Sequence, residues 1–395
     1  MKYLAGLVLI FAATTGLAQT EAAQPPTPTE VLEQIFTEPL QDTQFTEQFS
    51  NAVSREQLRS LLEQIRGQLG EFQQVRGDSS PYTVVFSNGT ATAEIALDSQ
   101  GRVRGLRFTR LTPAVADLDE ALSGFRDLSG DVSVLVLADG EVRAELNSDT
   151  PLAVGSAFKL LVLQVLAEQI HGGEHTWDEV VTLRSAWYSL PSGVLQDWPT
   201  GSALTLETLA TLMISQSDNT ATDALIDIVG RDALEARTDQ PQNRPFLTTR
   251  EIFILKAPDN RDLLERFQQG DEAEQRAVLE QVRGLELPSP DTLFTDGPVA
   301  LDVEWYFSAR QLCDLIQSVQ SLDLTTVNPG VANPDDWARV SFKGGSEPGV
   351  LSLVTWLVGE DGSSYCVAAT QNRSDEAVAE AEFVSLYSGL LSTLR

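Results

Sequence analysis

The chain has 395 residues, enough for two domains with cores of their own, and a formal net charge of -30 that argues against nucleic acid or acidic membrane surfaces as partners. Its two histidines, His171 and His175, flank a Gly-Gly turn and read as surface residues, so no metal site and no cofactor is predicted. The two cysteines, Cys313 and Cys366, fit either one disulfide in an oxidising compartment or two buried thiols.

In chain order, Met1-Lys2 and the apolar stretch Tyr3 to Leu17, ending at Gly16-Leu17-Ala18, form the pattern of a signal peptide over residues 1–18. Export to the periplasm or beyond is expected, with an uncleaved anchor as the alternative and no stable membrane span elsewhere. Residues 19–28 form a linker that includes the start of a proline-rich connector, Gln24 to Thr29. A small α+β domain is predicted over 29–111. Ser54-Arg55-Glu56-Gln57 is a capping box, and Leu58, Leu61, Leu62, Ile65 and Leu69 share one helical face. Strands follow at Tyr82 to Ser87, Thr90 to Leu97 and Arg102 to Arg110, the first two joined by an Asn88-Gly89 hairpin turn. With no cluster of reactive side chains, this unit reads as a docking or spacer module.

The second unit spans 113–395. A helix over Val115 to Phe125 precedes a hairpin, Asp131 to Ala138 and Glu141 to Asn147, which turns at Asp139-Gly140. A long helical region runs to about Ser321, and strands Arg339 to Phe342, Val350 to Val358 and Ser364 to Thr370 lead to a closing helix over Ser374 to Leu394. The first and last strands are expected to share one antiparallel sheet.

Chemistry concentrates at Ser156-Ala157-Phe158-Lys159, at the start of the apolar run Leu160 to Leu166. Residues three apart share a helix face, and a lysine buried in a protein interior can shed its proton and act as base toward a serine hydroxyl. The alternative is an N-cap serine beside a snorkelling lysine. Only four of the 27 basic residues are lysines, namely Lys2, Lys159, Lys256 and Lys343. Arginine cannot supply a neutral amine, so lysines retained in an arginine-preferring chain point to a need for one or for a compact charge. Lys256 reads as a helix-end charge. Ser217-Asp218-Asn219 falls in a polar break between two helices, and Lys343-Gly344-Gly345 follows a strand, its glycines letting a ligand lie along the backbone.

The ordered set S-x-x-K, S-D-N and K-x-G resembles the signature of class A β-lactamases and penicillin-binding proteins. The resemblance covers about 113–395 and implies a β-lactamase-like α+β fold, an antiparallel sheet flanked by helices plus an all-helical subdomain. It implies an exported serine hydrolase acting through an acyl-enzyme on a small molecule, either a β-lactam, an ester or a peptidoglycan-derived amide. Ser156 would be the nucleophile and Lys159 its base. Ser217 would relay a proton with help from Lys343, and Asn219 would hold substrate or Lys159. Backbone N–H groups of Ser156 and Ser346 would form the oxyanion hole, with Gly344, Gly345 and Ser346 along the substrate. Gly344 stands where the family has a hydroxyl. The family's deacylating glutamate pattern is missing, leaving Glu251 as the candidate base or a structural carboxylate. Asp259 to Gly284 looks like a charged helical insertion. The small front domain resembles the cystatin or ketosteroid-isomerase-like units that precede such domains in some exported proteins, among them the two-domain protein of clavulanic-acid clusters. From another functional class, a protein that binds cell-wall fragments or β-lactams without turnover also fits. Nothing in the sequence sets the oligomeric state.

Overall fold

The computed structural model describes residues 25–77, 79–115, 117–293 and 297–394. The predicted signal peptide lies outside them. Three helices open the small unit: α1 (Pro28–Thr37), α2 (Glu47–Ala52) and α3 (Arg55–Leu69). Pro28 is not linker but the first residue of α1, where its fixed φ suits a helix start and its missing N–H costs nothing. Thr27 and Glu30 complete a capping box there, as Ser54 and Gln57 do for α3. Leu58, Leu62, Ile65 and Leu69 of α3 are buried, while Leu61 is 41% exposed on the flank of the stripe.

The helices cover an antiparallel meander of β1 (Phe72–Arg76), β2 (Tyr82–Phe86), β3 (Gly89–Leu97) and β4 (Val103–Pro113). Phe86 pairs with Gly89, so the tight turn is Ser87-Asn88, one residue earlier than the Asn88-Gly89 pattern suggests. Ala91, Ala93 and Ile95 point into a core with Phe36, Val84 and Phe86, the period-two pattern of a sheet covered on one face.

After β4 the chain enters α4 (Leu118–Arg126), then β5 (Asp131–Ala138) and β6 (Glu141–Leu146), whose turn residues Asp139 and Gly140 both have positive φ. The short β7 (Leu152–Ala153) leads through a 3₁₀ turn, Gly155–Phe158, into α5 (Lys159–Gly172). The helical region comprises a small ribbon of β8 (Val180–Thr182) and β9 (Ala203–Thr205), then α6 (Leu206–Ser215), α7 (Asn219–Val229), α8 (Arg231–Glu235), α9 (Thr249–Lys256), α10 (Arg261–Gln269), α11 (Glu272–Val282) and α12 (Pro290–Leu293). Next come β10 (Tyr306–Phe307), paired with β7, and α13 (Ala309–Val319). The chain ends with β11 (Arg339–Glu347), β12 (Val350–Val358), β13 (Ser364–Asn372) and α14 (Glu380–Ser392).

The first and last strands share one five-stranded antiparallel sheet in the order β11-β12-β13-β5-β6. Both its faces are covered, which is why β5 and β12 are apolar without alternation. Leu135, Val354 and Ala368 pack toward α5 and the helical region, whereas Val134, Val136, Val367 and Ala369 pack toward α4 and α14 with Phe125, Phe383 and Tyr387. A Cys313–Cys366 disulfide ties α13 to β13. The two units are in contact: α14 lies along β4, and Arg110 Nη2 donates to Gly330 O at 3.1 Å.

One expectation needs correction. The strand does not stop at Phe342; β11 runs on through Lys343, Gly344 and Gly345 to Glu347, paired residue by residue with Val350–Val358. Gly344 and Gly345, placed after the strand by the sequence, are here strand residues, and their lack of side chains serves close backbone approach.

Candidate active site

Three segments converge at the edge of the sheet. Ser156 sits in the 3₁₀ turn before α5, where a three-residue period stacks it over Lys159 at the first position of the helix. Phe158 of this turn stacks on Trp305, with ring centroids 3.6 Å apart, which anchors the nucleophile's backbone in the core. Ser156 is half-buried; Lys159 is fully buried.

Lys159 Nζ makes three hydrogen bonds, to Ser217 O at 2.6 Å, Asn219 Oδ1 at 2.6 Å and Ser217 Oγ at 3.0 Å. The first two partners only accept, so they occupy both N–H bonds of a neutral amine and leave its lone pair available to a hydroxyl. Burial, and after it the charge of Lys343, push this amine well below the usual lysine range, against the pull of Asp223, Asp218 and Glu347. Burial thus favours the neutral form of the Lys159 amine.

Ser217 is held with φ of 55°, a left-handed conformation disfavoured for a residue with a Cβ. Its neighbours supply the constraint. Asp218 caps α7 through Ala221 N at 2.8 Å and accepts from Val194 N and Leu195 N at 2.7 and 2.9 Å. Ser192 Oγ donates to Ser217 O at 2.7 Å, and Asn219 Nδ2 donates to Leu190 O at 3.0 Å. Asp218, the N-cap of α7, therefore also ties the loop at 192–195 to the S-D-N turn.

From β11, Lys343 Nζ reaches Ser217 Oγ at 3.1 Å, and burial brings its amine down to about 7. Lys159 Nζ, Ser217 Oγ and Lys343 Nζ form a continuous chain of hydrogen bonds. β11 is also the sheet's edge strand, and it presses against the turn that carries Ser156. A Cβ on Gly345 would lie 2.1 Å from Val154 O and 2.5 Å from Ser156 N, and one on Gly155 would lie 3.2 Å from Ser346 N. Only glycine permits this approach, which brings the backbone amides of Ser156 and Ser346 to one cleft. At Gly344 a Cβ would meet Phe342 and Leu353 side chains at 3.1 and 3.2 Å, so Phe342 takes up the room of a larger residue.

Ser156, Asn219 and Ser346 line a cavity of about 170 Å³ with Pro191, Ser192, Thr249, Ile252, Phe253, Trp305 and Glu347. Glu251 is not among them. It completes the capping box of α9 with Thr248 and grips Arg231 through both oxygens, at 2.6 and 2.8 Å. Both its oxygens are thus engaged by Arg231 and the cap of α9, and it does not line the cavity with Ser156. Asp223 is likewise committed, accepting from Thr249 N, Thr249 Oγ1 and Arg250 N.

Sequence reasoning missed a buried charge cluster in the cavity wall. Lys256 does stand in the last turn of α9, but it is buried there and pairs with Glu304 and, at 2.9 Å, with Glu347. Burial and then the Glu347 charge carry Glu304 well above the carboxylate range. Burial opposes ionisation of Glu347 too, yet Lys256, the hydrogen bond from Glu304 and Lys159 hold it below that range. The single available signal was Lys256 itself, a lysine in a chain that prefers arginine. Among the described residues no cluster suited to a metal ion occurs.

No curated protein matches the chain. Among solved structures, a β-lactamase from Sphaerobacter thermophilus is 20% identical, covering 69% of this chain and 94% of its own, with a TM-score of 0.48. PBP-A is 16% identical over 72% and 98%, with a TM-score of 0.48. A β-lactamase from Chitinophaga pinensis is 15% identical over 69% and 97%, with a TM-score of 0.47. Residues 113–276, which carry the first two motifs, match the model of the β-lactamase enzyme family (Beta-lactamase2), in keeping with the β-lactamase-like α+β fold built around them.

Proposed function

We propose that the unit from 113 onward is a serine hydrolase that forms an acyl-enzyme at Ser156 with β-lactams or related amide and ester substrates. The observation that supports this most is the path from Lys159 Nζ through Ser217 Oγ to Lys343 Nζ, beside a cavity lined by Ser156. Neutral Lys159 takes the Ser156 proton as Oγ attacks the carbonyl carbon, and the N–H groups of Ser156 and Ser346 receive the oxyanion. Ser217 then passes the proton from Lys159 to the leaving nitrogen or oxygen, which departs as the acyl bond to Ser156 closes. Protonated Lys343 polarises Ser217 and offers the cleft's cationic group to a substrate carboxylate. Export through residues 1–18 and a docking role for the small front unit belong to the same proposal.

Intact-mass measurement after incubation with benzylpenicillin and, separately, with p-nitrophenyl acetate tests it. An adduct of the acyl mass on the wild-type protein and none on Ser156→Ala is the expected result. Reversible binding that survives Ser156→Ala, with the mass unchanged by either probe, would instead establish a binding protein on the same scaffold.

A further inference from the structure

An acyl-enzyme is released only if a water is made nucleophilic beside it, and Glu251, Asp223 and Asp218, each engaged by three hydrogen bonds, do not line the cavity with Ser156. Among the described residues lining the cavity with Ser156, Glu347 is the one carboxylate. It follows Ser346 directly at the end of β11, which fixes its backbone beside the predicted oxyanion donor. The cavity, about 170 Å³, far exceeds the roughly 10–15 Å³ that a single water needs, and Asn219 and Ser192 add polar partners to its wall.

We propose that Glu347 is the base that activates the water which hydrolyses the acyl group from Ser156. The inference rests on the acyl-enzyme reading and extends it to the second half of the cycle. Lys256 Nζ fixes one oxygen of Glu347 at 2.9 Å, and Glu304 supports it from the buried side. A carboxylate has about four lone-pair sites, so these contacts orient the group and still leave acceptor capacity for water. In the step itself the water proton moves to Glu347 as the water oxygen bonds to the acyl carbon and the carbonyl pair becomes the oxyanion. On collapse the bond from carbon to Ser156 Oγ breaks, and Oγ recovers that proton from Glu347 by way of the cavity. One water is consumed, one carboxylic acid leaves, and the serine hydroxyl is restored.

The charged groups that face Glu347 are Lys256 from α9, Glu304 from the segment before β10, Lys159 from α5, and Glu380 of α14 across the adjoining cavity. Their balance holds Glu347 ionised, so deacylation is level near neutral pH and declines only in acid, as the carboxylate gains its proton.

The test follows adduct loss by intact mass after removal of free probe, on the full chain, with whichever of benzylpenicillin and p-nitrophenyl acetate acylates the wild type. Glu347→Gln is expected to acylate at the wild-type rate and to shed the adduct about a hundredfold or more slowly, with the acid decline gone. Glu304→Gln retains a donor to Glu347 and is expected to stay within a few-fold of wild type. Glu347→Asp, which keeps the charge if the amide variant fails to fold, is expected to be slower yet to keep the acid decline. Adduct loss at the wild-type rate in Glu347→Gln overturns the assignment, as does equal slowing in both glutamine variants with an unchanged pH profile. If no adduct forms on either the wild-type protein or Glu347→Gln, the acyl-enzyme reading itself fails and this one falls with it.

Discussion

Ser217 Oγ lies 3.0 Å from Lys159 Nζ on a turn whose φ of 55° aims the hydroxyl inward, and Lys343 Nζ meets the same oxygen at 3.1 Å. A single hydroxyl therefore joins two buried amines. Removing it in Ser217→Ala breaks the proton path but forfeits little packing. Acylation is expected to slow by roughly 10²–10⁴-fold, a typical general acid–base contribution. Stability should fall by only about 1 kcal/mol, the usual worth of one hydrogen bond. Adduct formation followed by rapid quench, beside a thermal melt, checks both.

The two amines also set a pH dependence. In the proposed mechanism Lys343 assists only while protonated, and burial brings its amine down to about 7, so charge is present below that pH and lost above it. The second-order acylation rate of the free protein should show an alkaline decline centred near 7. In Lys343→Arg the guanidinium stays charged at every working pH, so the decline should vanish even if the rate is lower throughout. An identical decline in the arginine variant would assign it to another group.

Adjacent glycines in β11 should respond differently. Gly345→Ala sets a methyl 2.1 Å from Val154 O and 2.5 Å from Ser156 N, both backbone atoms that cannot step aside. The strand must lift from the serine turn, which would spoil the proposed oxyanion hole at an expected loss of about 10²–10³ in acylation rate. Gly344→Ala meets only side-chain atoms, Phe342 Cζ at 3.1 Å and Leu353 Cδ2 at 3.2 Å, and should keep most of the activity. Parallel kinetics on the two variants decide the matter.

The disulfide closes a loop between positions 53 residues apart, Cys313 and Cys366. The chain-entropy relation gives about 4 kcal/mol for a loop of that size. A paired Cys313→Ala, Cys366→Ala variant should therefore unfold at markedly lower denaturant, and the wild type should shift the same way when reduced. Matching midpoints in all samples would show the bond to be idle.

The parts of the site that were legible in the sequence are those whose chemistry is local. Ser156 and Lys159 are three apart in one turn, Ser217 to Asn219 are consecutive, and Lys343 stands with its glycines, so each announces itself within a few residues. The Asp139-Gly140 hairpin and the apolar entry to α5 are legible for the same reason. What escaped depends on distance. Glu304 meets Lys256 across 48 positions and Glu347 meets it across 91, and neither glutamate sits in any periodic pattern. Lys256 in the last turn of α9 occupies the ordinary place for a cation, so burial alone distinguishes it. The glycines of β11 concealed a strand because glycine more often ends one, and Pro28 concealed α1 because proline opens helices as readily as it fills connectors.

The seam between α14 and β4 bears on how the protein can be divided. Helix α14 rests on β4, the final strand of the leading unit, so the two units share a packed face. A fragment beginning at 113 would strip that helix of a neighbour it has in the whole chain, and trimming the tail would uncover the leading sheet in turn.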